Sequence, residues 1–236
     1  MGVSRRRLLL SAALTLLPLP LVVQAAARLP EVVAVPSRPA FVQPPGRREA
    51  LATVGLNLKP ESLLRTQAPG RMQVRLADGR SFRLGGDALL RLGRDLLDLK
   101  RGQIIAWVDP LQKGGLRLRV RTRVATASIE GTTVFLDVND TQVKVFSWEG
   151  HVQLTTSEGQ RFELHGGDEV QFQNGRWQPL RRLSRVEARE RLQRSILLND
   201  FPAPMETLPL IRRTLELETT PPVSPPAGPP RPPAGG

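Results

Sequence analysis

The sequence predicts a mainly β fold, an antiparallel sandwich or roll built with an internal repeat of its β unit and closed by a C-terminal amphipathic helix. Three observations carry that expectation. Apolar and polar residues alternate with period two through residues 51–178, the pattern of half-buried strands. Turn dipeptides such as Asp78-Gly79 and Glu158-Gly159 interrupt the alternation at short intervals. One hairpin sequence, Gln73 to Asp87, is echoed by Gln153 to Asp168 with His165 as the single extra residue.

From the N-terminus, Ser4-Arg5-Arg6-Arg7 runs into an apolar stretch beginning at Leu8, broken by Pro18 and Pro20 and ending in Ala25-Ala26-Ala27. Residues 1–27 therefore read as a signal peptide with a small-residue cleavage site, the Arg run being of twin-arginine form; an uncleaved anchor is the alternative. No later segment is apolar enough to span a bilayer, which places the mature chain in the periplasm, cell envelope or medium. Residues 28–50, with five prolines and no period, read as a linker.

In the β region, Met72 to Leu76 and Ser81 to Leu84 form a hairpin around Asp78-Gly79, with Val74, Leu76, Phe82 and Leu84 inward and Arg75 and Arg83 outward. Further strands are expected at 102–108, 116–121, 125–129, 132–138, 142–146, 151–155, 162–164 and 169–172. Ser184-Arg185-Val186-Glu187 has the form of a capping box. It opens a helix with Ala188, Leu192 and Ile196 on one stripe, expected to cover a face of the β body and to end near Asn199. Leu208 to Leu217 reads as one more short helix, so 184–218 is a helical extension. Residues 219–236, mostly Pro, Gly and Ala, read as a solvated Pro-rich tail.

Composition excludes much chemistry. The 236 residues contain no Cys and two His, which rules out thiolate catalysis, disulfides and thiolate zinc sites and leaves no multi-histidine metal centre; no cofactor is expected. Aromatics are only 4%, with Tyr absent, so a base- or sugar-stacking platform is not expected, nor a nucleic-acid partner. Gly85-Gly86 and Gly166-Gly167 lack the Lys-Ser/Thr of a phosphate loop, and no Gly-x-Ser-x-Gly elbow occurs. His151 and His165 read as hairpin-edge residues. Asp87 and Asp168 hold matching places in the repeat, and a Gly-Gly-Asp turn accounts for them more simply than paired catalytic carboxylates of a cell-wall hydrolase. The chain is expected not to be an enzyme.

What remains is arginine. The formal charge is +12, and Leu116 to Arg123 alternates so that Arg117, Arg119, Arg121 and Arg123 project from one strand face, about 7 Å apart, while Leu116, Leu118 and Val120 face the core. Such a ladder suits carboxylates or phosphates. The competing reading is a soluble face paired to acids on a neighbouring strand, for which Glu130, Asp137 and Asp140 are too few.

From about Leu56 to Phe172 the chain resembles the FecR domain. The resemblance rests on Glu61 to Thr66 with Pro69-Gly70, the Val74 to Leu84 hairpin, Leu97 to Ile104, Arg121 to Thr132, Glu149 to Val152, and Gly166 to Val170. Arg123 stands where the family commonly has Pro. The resemblance implies a compact extracytoplasmic β domain that senses or binds through protein contact and supplies no transferable catalytic or ligand residues. Only a few residues precede the apolar N-terminal segment, so no counterpart of the family's cytoplasmic anti-sigma region is expected. The sequence therefore points to an exported sensory or interaction module, its partner an anionic envelope polymer or an envelope protein met through the Arg-rich face. The alternative is an accessory subunit of a sigma/anti-sigma signalling system that recognises a protein partner by strand addition.

Overall fold

The computed structural model describes residues 28–111 and 115–217. The expected signal peptide and Pro-rich tail lie outside the described residues. Among the described residues the chain is mainly antiparallel β-sheet with a short helical region at its C-terminal end.

The segment expected as a linker differs. It contributes β1 (Glu31–Ser37), β2 (Ala40–Gln43) and the short β3 (Ala50–Leu51). Then come β4 (Leu63–Thr66), β5 (Arg71–Arg75) and two long strands, β6 (Ser81–Leu92) and β7 (Leu96–Trp107). β1 pairs with β5 and buries Val32 and Ala34. Its Pro36 falls where the register shifts between Ala34 and Ser37, so its missing amide breaks no regular ladder there.

β6 and β7 organise the sheet. They pair from Ser81↔Trp107 to Leu92↔Leu97, and the first half of β6 takes β5 on its other edge while the second half takes β4. The change of neighbour coincides with a register shift between Gly85 and Leu89, where Gly86 and Asp87 have φ of 59° and 57°. The first Gly-Gly-Asp is thus a bulge inside one strand, a bend rather than a reversal. Across from it Gly102 has φ of 84°, and a Cβ there would lie 2.3 Å from the Ala88 Cα, so only glycine lets the bent strands approach.

Beyond β7 follow β8 (Leu118–Arg121), β9 (Ala125–Ile129), β10 (Thr133–Val138), β11 (Gln142–Glu149), β12 (His151–Thr156), β13 (Arg161–His165), β14 (Asp168–Gln173), β15 (Arg176–Trp177) and β16 (Arg181–Arg182). The spatial order is β13-β12-β9-β8-β7-β10-β11-β14-β15, with the N-terminal strands branching from β6. All described strands belong to this one hydrogen-bonded sheet. One pairing is not antiparallel: β8 lies parallel to the start of β7, Leu96↔Arg119 to Asp98↔Arg121.

Alternation sorts the side chains into two cores. Val74, Leu84, Ile104, Ala106, Leu118, Val120, Val143 and Val145 belong to the larger one. On the opposite face of the same central strands, Ile105, Trp107, Phe146 and Trp148 form a second core with Leu197, Leu198, Met205, Ile211 and Leu215. These last come from a C-terminal cap made of α1 (Arg185–Arg194), α2 (Ile196–Asn199) and α3 (Leu208–Leu217). The capping box forms: the Glu187 amide donates to the Ser184 hydroxyl, and the Ser184 amide donates to the Glu187 carboxylate. The helix stripe is shorter than the sequence suggests. The helix breaks at Ser195, with ψ of 100°, so Ile196 is left 47% exposed and Leu197 and Leu198 turn onto the sheet instead.

The cap overturns one expectation. Arg83 was placed outward by the alternation and does leave the main core, yet it is only 1% exposed because the cap covers that face. No described helix is long and apolar enough to cross a membrane.

Candidate functional site

β8 holds the middle of the arginine ladder as the alternation requires, with Leu118 and Val120 buried and Arg119 and Arg121 exposed; Arg117, just before the strand, and Arg123, in the bend after it, are exposed as well. Their surroundings differ. Arg117 pairs with Glu130 at 2.8 Å, and its carbonyl is held from beneath by the buried Arg80 guanidinium, which also binds Asp78 and Asp95. Arg121 pairs with Asp98 at 2.8 Å, and Lys100 reaches the same carboxylate at 2.7 Å. Burial would push the Asp98 carboxyl up, but Arg121 and Lys100 outweigh it and hold the group below its ordinary value. Arg123 donates to the carbonyls of Asn139 and Asp140. The Arg119 side chain has no hydrogen-bond or ion-pair partner among the described residues, its amide alone reaching the Asp95 carbonyl. Of the acids considered from sequence, only Glu130 neutralises a ladder residue through its carboxylate. Asp98 is the partner that sequence reading missed, since the parallel pairing that brings it opposite Arg121 leaves no local signal. Five cations, the four arginines and Lys100, thus share two carboxylates on this face.

The two histidines are cross-strand partners in β12 and β13, their rings 5.2 Å apart, with His151 bonded to Glu163. Gln153 and then His151 hold the Glu163 carboxyl below its ordinary value. No group of described residues is arranged to hold a metal ion. Asp87 and Asp168 lie on β6 and β14, which do not pair, and each has a structural task. Asp87 accepts from the Ala68 amide at 2.7 Å, while Asp168 pairs with Arg182 and accepts from the His165 amide, both at 2.9 Å.

The underside of the cap is a second polar cluster. Arg83 donates to the Gln73 side chain at 2.8 Å and to the carbonyls of Leu197, Leu198 and Ala203 at 2.8, 3.1 and 2.9 Å. Its guanidinium lies 4.4 Å from the Phe201 ring centre and 5.4 Å from that of Trp107. Burial pushes it down to about 10 although Glu206 opposes the shift. Around it Arg71 binds Asp200, and the Trp107 indole donates to Glu206 at 2.8 Å. Glu169 is buried beside Arg191, Arg181 and Gln171. Burial raises its carboxyl, and Arg191, Gln171 and Lys144 together carry it below the ordinary value.

Fold and surfaces define a mainly β domain whose exposed strand faces are charged and whose second sheet face is sealed by a pinned helical cap. Residues 62–153, from the start of β4 into β12, match the family model described as FecR protein. Two crystal structures titled "putative anti-sigma factor" from Parabacteroides distasonis ATCC 8503, at 1.65 and 2.50 Å resolution, are similar to this chain. They are 20% and 21% identical to it over 51% and 50% of its length, each with a TM-score of 0.43. The chain spans 60% and 59% of theirs, and a likeness this loose says nothing of partners or activity. No curated protein matches the chain.

Proposed function

We propose that this chain is an exported FecR-domain interaction module that serves signalling in the cell envelope, and that the arginine face of β8 is its contact surface for an anionic partner. The observation that carries this reading is the unbalanced charge of that face: Arg117, Arg119, Arg121 and Arg123 are all exposed, and the Arg119 side chain has no partner among the described residues. A face evolved only for solubility gains little from holding like charges at strand spacing, whereas an incoming carboxylate or phosphate relieves their repulsion and takes two parallel hydrogen bonds from each guanidinium. The basic residues Arg5 to Arg7 and the apolar run after them support export.

The test compares the wild-type chain with the variant carrying Arg117→Gln, Arg119→Gln and Arg121→Gln, using envelope extract and a defined polyanion, at low and moderate salt. Binding that falls steeply with salt and is lost in the variant is expected. An identical partner list in the variant refutes the reading.

A second reading rests on the edge of the sheet. Among the described residues β13 pairs with β12 alone, so its other edge has no strand beside it there and could add one from a partner protein. Binding by that route would be insensitive to salt and would be abolished by Glu163→Pro.

A further inference from the structure

The strand registers set the arginine column of β8 along one side of a wider polar face. Across β8, β9, β12 and β13 the paired positions run Arg119↔Ser128↔Gln153↔Glu163 in one row and Arg121↔Thr126↔Thr155↔Arg161 in the next. Paired residues share a sheet face, so these eight side chains stand opposite Val120, Ala127 and Leu154, which enter the larger core from the same strands. Three strand spacings put the β8 and β13 columns about 14 Å apart. Between them Ser128, Thr126 and Thr155 are short, so they floor a shallow trough flanked by longer side chains.

The two banks differ. On the β8 bank the whole Arg119 guanidinium is unclaimed among the described residues, while Arg117 and Arg121 reach Glu130 and Asp98 through Nε and Nη2 and keep other donors. The β13 bank is mixed. The Arg161 side chain has no hydrogen-bond or ion-pair partner among the described residues, but Glu163 beside it carries a carboxylate that Gln153 and then His151 hold below its ordinary value. A uniform polyanion filling the trough meets Glu163. A chain with all its acids on one edge does not.

We propose that the occupant of this face is an extended protein segment with Asp or Glu at every second position, lying along the trough with its acidic edge toward β8. An extended chain repeats its side-chain direction every two residues, about 7 Å, which is the period of the column Arg117, Arg119, Arg121. Each acid therefore meets one guanidinium in register, and the spacer residues between them face Gln153 and Glu163. The hydroxyls of Ser128, Thr126 and Thr155 both donate and accept, as the segment's backbone requires. This inference rests on the β8 face being a contact surface and adds the class and pattern of the partner.

The experiment uses two peptides of identical length and composition, glutamate among threonine, with glutamate at every second or at every third position; threonine favours the extended state in both. In the second peptide successive acids point to opposite edges, so fewer meet the column at once. Binding to the full chain is measured by calorimetry at low and moderate salt and mapped by amide chemical shifts. The every-second peptide is expected to bind about tenfold more tightly and to shift amides of β8, β9 and β12. Ser128→Glu, which sets a carboxylate beside Arg119, should weaken it by about tenfold. Equal affinity for the two peptides, both lost in the Arg119→Gln, Arg121→Gln variant, overturns the pattern and leaves β8 a contact surface for anions. Binding unchanged in that variant overturns the β8 reading as well. The proposal also falls if a uronic acid polymer binds more tightly than the every-second peptide, or if that peptide shows no saturation up to about 5 mM.

Discussion

Replacing Arg83 by Met would keep most of the volume between sheet and cap and remove the charge and every donor. Four acceptors lose their partner: the Gln73 side chain and the carbonyls of Leu197, Leu198 and Ala203. At about 1–2 kcal/mol each, the loss is about 4–8 kcal/mol. Against this stands the relief of burying a cation. The fall from its ordinary value to about 10 corresponds to roughly 3 kcal/mol at 1.36 kcal/mol per pKa unit. The hydrogen bonds win, and Arg83→Met is expected to destabilise by about 3 kcal/mol. The damage should be local. Leu197, Leu198 and Ala203 are bonded to this side chain, whereas its neighbours Phe82 and Leu84 enter the larger core on the other strand face. Hydrogen exchange should therefore show amides of 195–206 losing protection by about two powers of ten while those of β6, β7 and β10 stay protected. If urea unfolding places the variant within about 1 kcal/mol of wild type and the cap amides keep their protection, the cap is not held by this arginine.

Two further outcomes follow from buried positions. Gly102→Ala drives a Cβ to 2.3 Å from the Ala88 Cα and 2.5 Å from its N. It should cost well over about 3 kcal/mol or abolish folding, whereas Gly175→Ala, at φ of 74° with nothing within 4 Å, should cost only about 1–2 kcal/mol; equal melting temperatures for the two would refute the close approach. Glu149, 5% exposed, accepts from the Thr133 hydroxyl at 2.9 Å, and Thr133 in turn meets Thr207 of the cap at 2.7 Å. Burial pushes its carboxyl up from 4.5 to about 7, against the Thr133 hydrogen bonds. The folded state thus holds this proton more tightly than the unfolded chain does, so its stabilising contribution is complete below pH 4.5 and is lost as pH rises through about 7. The loss is about 3 kcal/mol at most. Glu149→Gln should remove that pH dependence and melt about 5 °C higher than wild type at pH 8, with little difference at pH 4.5. An unchanged pH profile of the melting temperature would refute the assignment.

Most strands from 102 onward were legible because each needs only a local signal, alternation bounded by Gly or Asp, and Ala125–Ile129 appears with the expected bounds. The capping box and the helix from Leu208 to Leu217 were legible for the same reason. What escaped was set by distant chain. Val32 and Ala34 sit among prolines, and only β5, some forty positions on, shows that they belong to a strand. The parallel pairing of β8 with β7 is equally remote from local pattern. The cap left a partial trace: Ile104 to Val108 and Val145, Phe146 and Trp148 are apolar on both strand faces, the mark of a sheet covered on both sides.

The arginines show where alternation stops being informative. Arg83 in β6 and Arg119 in β8 occupy the same kind of position, a polar residue between two apolar ones in a strand, and both point away from the main core. Arg83 became a buried peg with four hydrogen bonds, and the Arg119 side chain stayed in solvent without a partner among the described residues. The difference lies in what happens to cover each strand face, and for β6 that cover comes from residues more than a hundred positions later. Period two tells which side of a sheet a cation occupies. Whether that side faces solvent, a partner or the chain's own cap is decided by topology, and so the ladder could be read from sequence as a candidate contact surface, whereas the cap and its pins could be found only in the fold.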